Sequence, residues 1–362
     1  MENQGFIQEI READLAVCEN ADTFLQSAMW GEFKSCFGWE SKAFLINWKG
    51  RETVPLLAIS RVLAFGFSFV YIPWGPKMPP DFLPEEKPGV LIELAEKLKT
   101  FYKKKHVFIR FEPPWYKEGG EAFSTNDAAL FLSAGLKKSG ASIQPPDTVI
   151  VNLTDSPEKI LKAMKIKWRY NISLACKKGV TVKTCGTEKI ETFYKLLKET
   201  AVRDGILVHN FSYYKTLFEK CSQYGITLRL YTASHEDETI AAIVVLFHGK
   251  YATYLYGASS GNKRNLMPSH ALQWKAIQDA KEAGCQYYDL FGIPPDSDPN
   301  HPMAGLYLFK TGFGGQIIHR PGSWDYPYKP LVYSLFNTVE SLRKKIMNRR
   351  KRRIAKKPQS NV

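Results

Sequence analysis

The strongest constraint on the fold of this 362-residue chain is an order of secondary-structure signals that occurs twice. Each copy has a strand pair rich in Val, Ile, Phe and Tyr, a turn, a helical pattern, a short apolar strand and a Pro-Pro stop. A helix between two strands of one sheet is typical of a β-α-β crossover, so the order predicts a mixed α/β (α+β) fold built from two similar units. In the first copy the strand pair lies at 42–48 and 54–72, the helix at 89–105 and the prolines at 113–114. In the second copy the strand pair lies at 240–260, the helix at 269–283 and the prolines at 294–295.

The segment SIQPPD, Ser142–Asp147, is the best boundary between the two units because its prolines and polar residues interrupt both patterns. We therefore expect domains at 1–145 and 146–323, a C-terminal segment and helix at 324–342 that packs back on the body, and a basic, mobile tail at 343–362. A helix is expected to begin after Ser156, with Pro157 at its first position, and to continue to Gly179.

The net charge of +14 is concentrated near the C-terminus. Residues 343–357 hold ten Lys or Arg and no acidic residue, which leaves about +4 for the rest of the chain. Such a segment attracts phosphate, either of nucleic acid or of an anionic membrane, although a solvated end without a specific partner is the alternative.

Other classes of protein are disfavoured by what the sequence lacks. The N-terminus does not resemble a signal peptide, and the longest apolar run, Ile240–Phe247, is too short to span a membrane. The six cysteines have no CxxC spacing, which favours reduced thiols in the cytoplasm. The sequence contains no GxSxG, HExxH, Walker or GxGxxG motif, and its seven histidines have no metal-binding spacing. We therefore expect neither a metal nor a cofactor, and an enzyme that acts by positioning and electrostatics.

Two basic regions remain as candidate anion sites. The stretch YLYGASSGNKRNLMPSH, residues 254–270, passes from a strand through Arg264 and Asn265 to a helix N-terminus, where free N–H groups favour an anion. A surface loop with ordinary capping is the alternative. Residues 165–178 of the helix predicted after Ser156 carry five cations interleaved with Trp168 and Tyr170, which is typical of an RNA-binding face or of a solvated one. Those cations are Lys165, Lys167, Arg169, Lys177 and Lys178.

Six segments, taken in order, carry a combined signature: FLQSAMWGEFKSCFGWE (24–40), YIPWGP (71–76), KWRYNISLACKKGVTV (167–182), RDGILVHNFSYY (203–214), YLYGASSGNKRNLMPSHALQW (254–274) and GLYLFKTGFGG (305–315). Together they resemble the FemABX family of non-ribosomal peptidyltransferases, which build peptidoglycan cross-bridges. The resemblance spans about residues 20 to 335 and includes no long coiled-coil insertion, so the chain looks like a compact member.

The resemblance implies two tandem GNAT-like acyltransferase domains, the first binding the acceptor, followed by a basic helical tail. It implies transfer of an amino acid from aminoacyl-tRNA to a side-chain amine of a lipid-linked or UDP-linked muropeptide, in the cytoplasm or at the inner face of its membrane. Residues 343–357 would contact that anionic membrane or add affinity for tRNA.

The resemblance also implies roles for individual residues. Lys310 would stabilise the oxyanion, with Tyr256 near it to orient the acceptor. Lys34, together with either Arg203 or His209, would hold the acceptor diphosphate, and Glu112 would be structural or would position substrate. The remaining expected substrate contacts are Trp30, Tyr71, Tyr214, Arg264, Asn265 and Phe309.

Three other functions stay open at this point. A GNAT-fold acyltransferase could use another donor such as acyl-CoA, although GASSGNKRN at 257–265 is a poor pyrophosphate loop. The chain could instead bind RNA without catalysis, or serve as an inactive cell-wall scaffold. The sequence does not identify the transferred amino acid, the acceptor diamino acid, the choice between lipid and nucleotide carrier, or the oligomeric state.

Overall fold

The computed structural model describes residues 5–355, with the side chains of residues 64, 118 and 343–355 left out. The strands are β1 Ile7–Ala13, β2 Trp39–Trp48, β3 Thr53–Val62, β4 Ser68–Pro73, β5 His106–Glu112, β6 Lys137–Lys138, β7 Asp147–Asn152, β8 Thr181–Cys185, β9 Thr227–His235, β10 Glu238–His248, β11 Tyr251–Ser259, β12 Tyr287–Asp289, β13 Gln316–His319 and β14 Trp324–Pro327. The helices are α1 Ala28–Ser35, α2 Lys87–Lys99, α3 Thr125–Ser133, α4 Pro157–Ala163, α5 Ile166–Lys177, α6 Ile190–Asp204, α7 Phe211–Gln223, α8 Pro268–Glu282, α9 Ala304–Thr311 and α10 Pro330–Ala355.

The strands form two seven-stranded sheets with equivalent orders, β1-β2-β3-β4-β5-β14-β6 and β8-β9-β10-β11-β12-β7-β13. In the first sheet an antiparallel hairpin, β3 and β4, precedes α2, and β5 returns parallel to β4. In the second sheet the hairpin of β10 and β11 precedes α8, and β12 returns parallel to β11. The element order predicted to occur twice is therefore confirmed as a repeated topology.

The first sheet is completed by a strand from the far end of the chain. Strand β14 lies between β5 and β6 and pairs antiparallel with both. Trp324 in this strand is fully buried against Phe131, with ring centroids 4.6 Å apart. Next to it, Asp325 accepts two hydrogen bonds from Arg110, at 2.7 and 2.8 Å. The segment expected only to pack back on the body is thus a structural strand of the first sheet.

Two local expectations differ from the structure. The apolar run at 54–72 is two strands, separated by a turn in which Phe65 and Gly66 have positive φ. The helix predicted after Ser156 begins there, with Pro157 at its first position, but it ends at Ala163, and a second helix begins at Ile166. At the C-terminus, α10 is helical through Ala355, as the expected helical tail requires, and residues 356–362 lie outside the described residues.

The space between the two sheets is a shared core. It contains apolar side chains of α1, α6 and α7 together with inward-facing residues of both sheets, such as Leu57, Tyr71 and Val244. Separate cores cover the outer faces, one under α2 and one under α8. This arrangement places α1 of the first unit against α7 of the second, which positions the candidate site.

No helix within residues 5–355 is long and apolar enough to cross a membrane. In the same range, only α10 has more than 15 residues, so the described body carries no long helical arm between its two sheets.

Candidate active site

Lys310 is a buried cation in the last turn of α9. Its side chain is 6% exposed, and Nζ donates hydrogen bonds to the carbonyl oxygens of Phe291 at 3.2 Å and Gly292 at 2.9 Å. Burial lowers the pKa of Lys310 to about 7, and the nearby carboxylate of Asp289 opposes the shift. Because an ammonium carries three N–H donors, a third remains after the two carbonyl bonds for a reacting group.

The glycines of the KTGFGG segment let α9 approach its neighbours closely. A Cβ on Gly312 would lie 2.1 Å from the ring of Trp168, and one on Gly315 would lie 2.6 Å from the backbone oxygen of Ile150. The indole of Trp168 also donates to the carbonyl of Phe309 at 2.9 Å. These contacts dock α9 on α5 and β7 and so set the position of Lys310.

A bulge in β11 changes which tyrosine faces Lys310. Val245 pairs with Tyr254 and the adjacent Val244 pairs with Tyr256, so Leu255 is the extra residue. As a result, Tyr254 packs in the outer core under α8, whereas Tyr256 packs in the core between the sheets. Lys310 Nζ lies 5.2 Å from the ring of Tyr254. The structure therefore brings Tyr254, and not Tyr256, against Lys310.

The sheet also opens at this place. Strands β11 and β12 pair from Tyr251 to Thr253, and β11 then continues to Ser259 after the pairing has ended. Phe291, two residues beyond β12, has a φ of 58°, and its carbonyl and the next one accept from Lys310. The ammonium is therefore held beside the gap between two diverging strands.

Lys34, in the last turn of α1, lies in an aromatic cage. Its Nζ is 5.4, 5.3 and 5.7 Å from the ring centroids of Trp30, Trp39 and Tyr213. Burial lowers the pKa of Lys34 to about 8, with a further contribution from the positive charge of Arg61. Among the described ion pairs none involves Lys34, so its charge is available to an anion.

Of the two candidate partners, His209 lies beside Lys34 and Arg203 does not contact it. The His209 ring stacks on Tyr213 with centroids 3.7 Å apart, and burial, followed by the charge of Lys34, lowers its pKa. Arg203 instead pairs with Asp204 at 2.9 Å and donates to the carbonyl of Ser259 at 2.7 Å. A neutral imidazole next to an unpaired ammonium is a suitable setting for a phosphate.

Tyr214 and Tyr256 extend this cage towards β11. Their rings meet edge to face at 5.1 Å, and Tyr256 shares a hydrogen bond with the hydroxyl of Tyr213. Burial raises the pKa of Tyr256 well above its ordinary value, so it stays a neutral donor. The predicted residues Lys34, Trp30, His209, Tyr214 and Tyr256 thus form one group, which we call the aromatic cage site.

Two predicted contact residues are interior parts of the fold. Tyr71 is 1% exposed, and its hydroxyl donates to Glu112. Glu112 also accepts from Ser323 and from the backbone N–H groups of residues 143 and 144, so it ties β5 to the linker and to the start of β14. Burial raises the pKa of Glu112. Substrate contact by Tyr71 is incompatible with this geometry, and Glu112 has the structural role that was one of its two expected roles.

Phe309 has a mainly packing role. Its ring meets His270 at 5.3 Å and Phe313 at 5.2 Å, and its carbonyl accepts the indole N–H of Trp168. It therefore supports α9 from the side opposite the gap.

Arg264 and Asn265 are exposed in a short turn before α8 and contact neither lysine site. Pro268 at the start of α8 provides no N–H donor, and the N–H of His270 already donates to the carbonyl of Met267 at 3.1 Å. His270 in its first turn is packed against Trp168, with centroids 5.5 Å apart. This helix end is a weaker anion site than the sequence indicated.

The basic segment at 165–178 is α5 together with its cap residues, Lys165 and Lys178, and four of its five cations are exposed. Trp168 points inward to α9, whereas Tyr170 is 62% exposed on the outer surface. The exposed cations therefore lie on the helix that packs directly against the helix carrying Lys310. They are Lys165, Lys167, Lys177 and Lys178.

Sequence reasoning missed Trp39, Arg61, Tyr213 and Tyr254. Trp39 and Arg61 are directly opposite each other on β2 and β3, and the guanidinium lies 5.5 Å from the indole ring. Cross-strand register supplies this pair, and no local motif signals it. Tyr254 and Tyr213 were within quoted motifs, but the alternation of side chains could not show which of two nearby tyrosines faces which lysine.

The family model described as "FemAB family" matches residues 16–234 and 225–341. The lipid II:glycine glycyltransferase of Staphylococcus aureus strain USA300 is 23% identical over 409 residues, which covers 94% of this chain and 96% of the relative. The crystal structure of FemX has a TM-score of 0.76 at 20% identity and covers 91% of this chain and 100% of its own.

A tandem GNAT protein from the clavulanic acid biosynthesis pathway has a TM-score of 0.52 at 13% identity, covering 88% of this chain and 98% of its own. This likeness confirms the predicted fold of two tandem GNAT-like units. The match of the family model covers every strand except β1, together with the aromatic cage site and Lys310. The chain therefore belongs to the FemAB family.

Proposed function

We propose that the protein is an aminoacyltransferase that moves an amino acid from aminoacyl-tRNA to a side-chain amine on the stem peptide of a peptidoglycan precursor. The observation that carries the proposal is the buried ammonium of Lys310, fixed by two carbonyls beside the gap between β11 and β12. The similar S. aureus protein is named for glycyl transfer to lipid II, which supports the same class of reaction here.

The reaction needs no protein nucleophile. The neutral acceptor amine attacks the carbonyl carbon of the aminoacyl ester and forms a C–N bond, and the carbonyl oxygen becomes an oxyanion. Collapse breaks the ester C–O bond, and the ribose hydroxyl of the tRNA leaves with the proton lost by the amine. Lys310 would donate its third N–H to the oxyanion in a site shielded from water, where a fixed charge stabilises the transition state most.

The aromatic cage site would hold the acceptor. Lys34 and His209 would present donors to a diphosphate, and the rings of Tyr214 and Tyr256 connect this group to β11. Tyr256 and Tyr254 lie on opposite faces of β11, so the aromatic cage site and Lys310 lie on opposite sides of this strand. An acceptor anchored at the cage could extend its amine through the gap to the ester.

The donor would approach along α5. Phosphates attract its exposed lysines, and Tyr170 offers an exposed ring to a base. Because α5 packs on α9, an RNA end bound there lies close to Lys310. An acyl-CoA donor fits less well, since Lys263 in the loop before α8 is already paired with Glu236 and Glu238, both at 3.1 Å.

A reconstituted transfer assay tests the proposal. Purified protein is mixed with total tRNA charged with labelled amino acids and with lipid-linked or UDP-linked muropeptides that contain lysine or ornithine. We expect RNase-sensitive transfer of label to a precursor, retained in K159A and lost in K310A. Lys159 is a suitable control because it is 74% exposed and pairs only with Asp155. Tight tRNA binding without transfer to any precursor would contradict the proposal and favour an RNA-binding or scaffold role.

A further inference from the structure

A second cavity, separate from the aromatic cage site, lies between the loops of the first sheet and one edge of the second. Its volume is about 500 Å³. Loops at 20–26, 52–55, 74–80 and 114–116 form one side, and Tyr251, Thr253, Asp289 and Arg320 form the other. None of the residues of the aromatic cage site, and not Lys310, lines it.

Arg320 is the unusual residue of this cavity. It is 9% exposed, and neither its Nε nor its Nη1 has a hydrogen-bond partner among the described residues. The guanidinium stacks on Trp74, 4.1 Å from the ring centroid, and its backbone N–H is anchored to the carbonyl of Pro146. A buried guanidinium without acceptors is costly, so its retention calls for an anionic ligand.

Asp289 lines the same side of the cavity as Arg320 and is itself held in place. Its Oδ1 accepts from the hydroxyl of Thr148 and from the backbone N–H of Phe291 at 2.7 Å. Burial lowers the pKa of Arg320, and the charge of Asp289 partly offsets this shift. Within the described residues, Arg320 and Asp289 do not form an ion pair. Arg320 therefore keeps its donors free beside a fixed carboxylate.

The charges of the lining favour a carboxylate over a phosphate. Lys77 and Asp22 pair with each other at 2.7 Å, which leaves Arg320 and Lys87 with Glu52 and Asp289 as the remaining charges of the lining. A phosphate dianion would add two negative charges to this balanced set, whereas a carboxylate adds one. A planar carboxylate needs only one guanidinium fork.

The rest of the wall fits a short peptide. Trp74, Met78, Pro79, Pro80 and Pro114 give it a mainly apolar surface. The volume is far larger than a carboxylate alone requires and falls in the range of small-molecule pockets. We propose that this cavity binds the C-terminus of a short peptide, with its free carboxylate on Arg320 and its side chains against Trp74 and the prolines.

The proposal stands independently of the transfer reaction, because binding is measured on the protein alone. Isothermal titration calorimetry compares alanyl-alanine with its C-terminal amide, and inorganic phosphate serves as the competing anion. We expect the free acid to bind at least about tenfold more tightly than the amide, and R320M to lose that difference. In the ¹⁵N spectrum, the Arg320 Nε–H resonance should move with the free acid and not with the amide.

Thermal unfolding separates binding from structure. R320M should keep or raise Tm, because it replaces a buried charge without acceptors by an apolar side chain of similar length, and R320K should bind the free acid more weakly than the native protein. Equal binding of acid and amide, or tighter binding of phosphate than of dipeptide, would overturn the proposal. The proposal would also be overturned if Tm fell in both R320M and R320K and the native protein did not bind the dipeptide, since Arg320 would then have a structural role.

Discussion

At the scale of single residues, the charge state of Lys310 decides how it can act. Its pKa of about 7 means that the ammonium and the neutral amine have similar populations at neutral pH. A cation stabilises an oxyanion, whereas a neutral amine can take a proton from the acceptor. Both forms are accessible, so the pH dependence of transfer distinguishes them.

We predict that log(kcat/KM) rises with pH below about 7, as more acceptor amine is deprotonated, and bends to a plateau above it. The sign follows from two opposing effects: the reactive amine gains population with pH, while protonated Lys310 loses population above its pKa. In K310R the cation stays charged, so the bend should disappear and the rise should continue. A bend at the same pH in the native enzyme and in K310R would show that a group other than Lys310 causes it. If K310R were inactive and the native profile rose more steeply below pH 7, Lys310 would instead act as a general base.

A second prediction concerns Lys34, whose charge lies in the cage without a carboxylate partner. K34M should raise KM for a diphosphate-bearing acceptor by about ten- to a hundredfold, the loss expected for a charge-assisted hydrogen bond, with little change in kcat. An acceptor peptide without the diphosphate should not distinguish the variant from the native enzyme. K42M is the matched control, since Lys42 lies on β2 and pairs with Glu12 at 2.7 Å. An equal increase for both acceptors would count against a diphosphate site.

The sequence predicted site residues that lie in a motif, such as Lys310 and Lys34. It did not predict the residues that surround them, because Trp39, Arg61 and Tyr254 are brought to the two lysines by the register of neighbouring strands. Tyr71 also lies in a motif, but the structure gives it a hydrogen bond to Glu112 in the interior. The sequence alone does not distinguish a buried tyrosine of this kind from one that binds substrate.

At the scale of elements, the position of Lys310 depends on how closely α9 approaches α5. Gly312 ends α9 at the point where the Trp168 ring leaves no room for a Cβ. The backbone N–H of Lys165 also donates to the carbonyl of Gly312 at 2.9 Å. Any side chain at 312 must therefore push the two helices apart.

We predict that G312A lowers the free energy of unfolding by about 1 to 3 kcal/mol, as for overpacked sites, and lowers kcat more than KM. G305A, in the same helix, has nothing within 4 Å of the new Cβ and should leave stability unchanged or raise it by up to about 1 kcal/mol. Chemical denaturation and steady-state kinetics on both variants give the comparison. Equal behaviour of the two alanine variants would contradict a steric role for Gly312.

The bulge at Leu255 marks the limit of prediction at this scale. The hairpin of β10 and β11, helix α8 and the following strand were all predictable from periodicity and turn residues. The extra residue was not, since YATYLYGAS alternates as well without a bulge as with one. Yet the bulge determines which tyrosine faces the aromatic cage site and which faces Lys310.

At the scale of the whole molecule, Glu112 joins β5, the linker between the two sheets and the residue before β14. We predict that E112Q lowers the free energy of unfolding by about 2 to 4 kcal/mol, because an amide NH₂ would face donors that now meet a carboxylate oxygen. The kcat of folded enzyme should change little, and E121Q is the exposed control. Unchanged stability with a large loss of kcat would instead indicate that Glu112 acts on substrate.

The basic C-terminal segment gives a prediction about binding to anionic membranes or to tRNA. A chain that ends at Leu342 should keep its stability, because the helix contacts to the body come from its first turns, where Tyr333 and Phe336 pack on Phe108. It should lose affinity for anionic vesicles, at about 1 kcal/mol for each cation near the surface, or show a higher KM for aminoacyl-tRNA. Unchanged vesicle binding together with unchanged donor KM would exclude both roles.

The repeated topology was predictable because each unit repeats the same local signals. The insertion of β14 into the first sheet was not, since the pairing of Trp324 with Phe111 joins residues more than 200 positions apart and no local pattern encodes it. The buried pair of Arg110 and Asp325 stabilises this long-range register only after the strand is in place.

Strand β14 has a consequence for how the protein is made. Domains usually fold one after another as they leave the ribosome, the N-terminal one first. Here the first sheet lacks the strand between β5 and β6 until residues 324–327 have been translated, when about nine-tenths of the chain already exists. During most of its synthesis, the nascent N-terminal half exposes two open strand edges that can pair with other chains. The second sheet, whose strands all lie within residues 147–319, can close earlier, so the order of maturation is reversed relative to the order of translation.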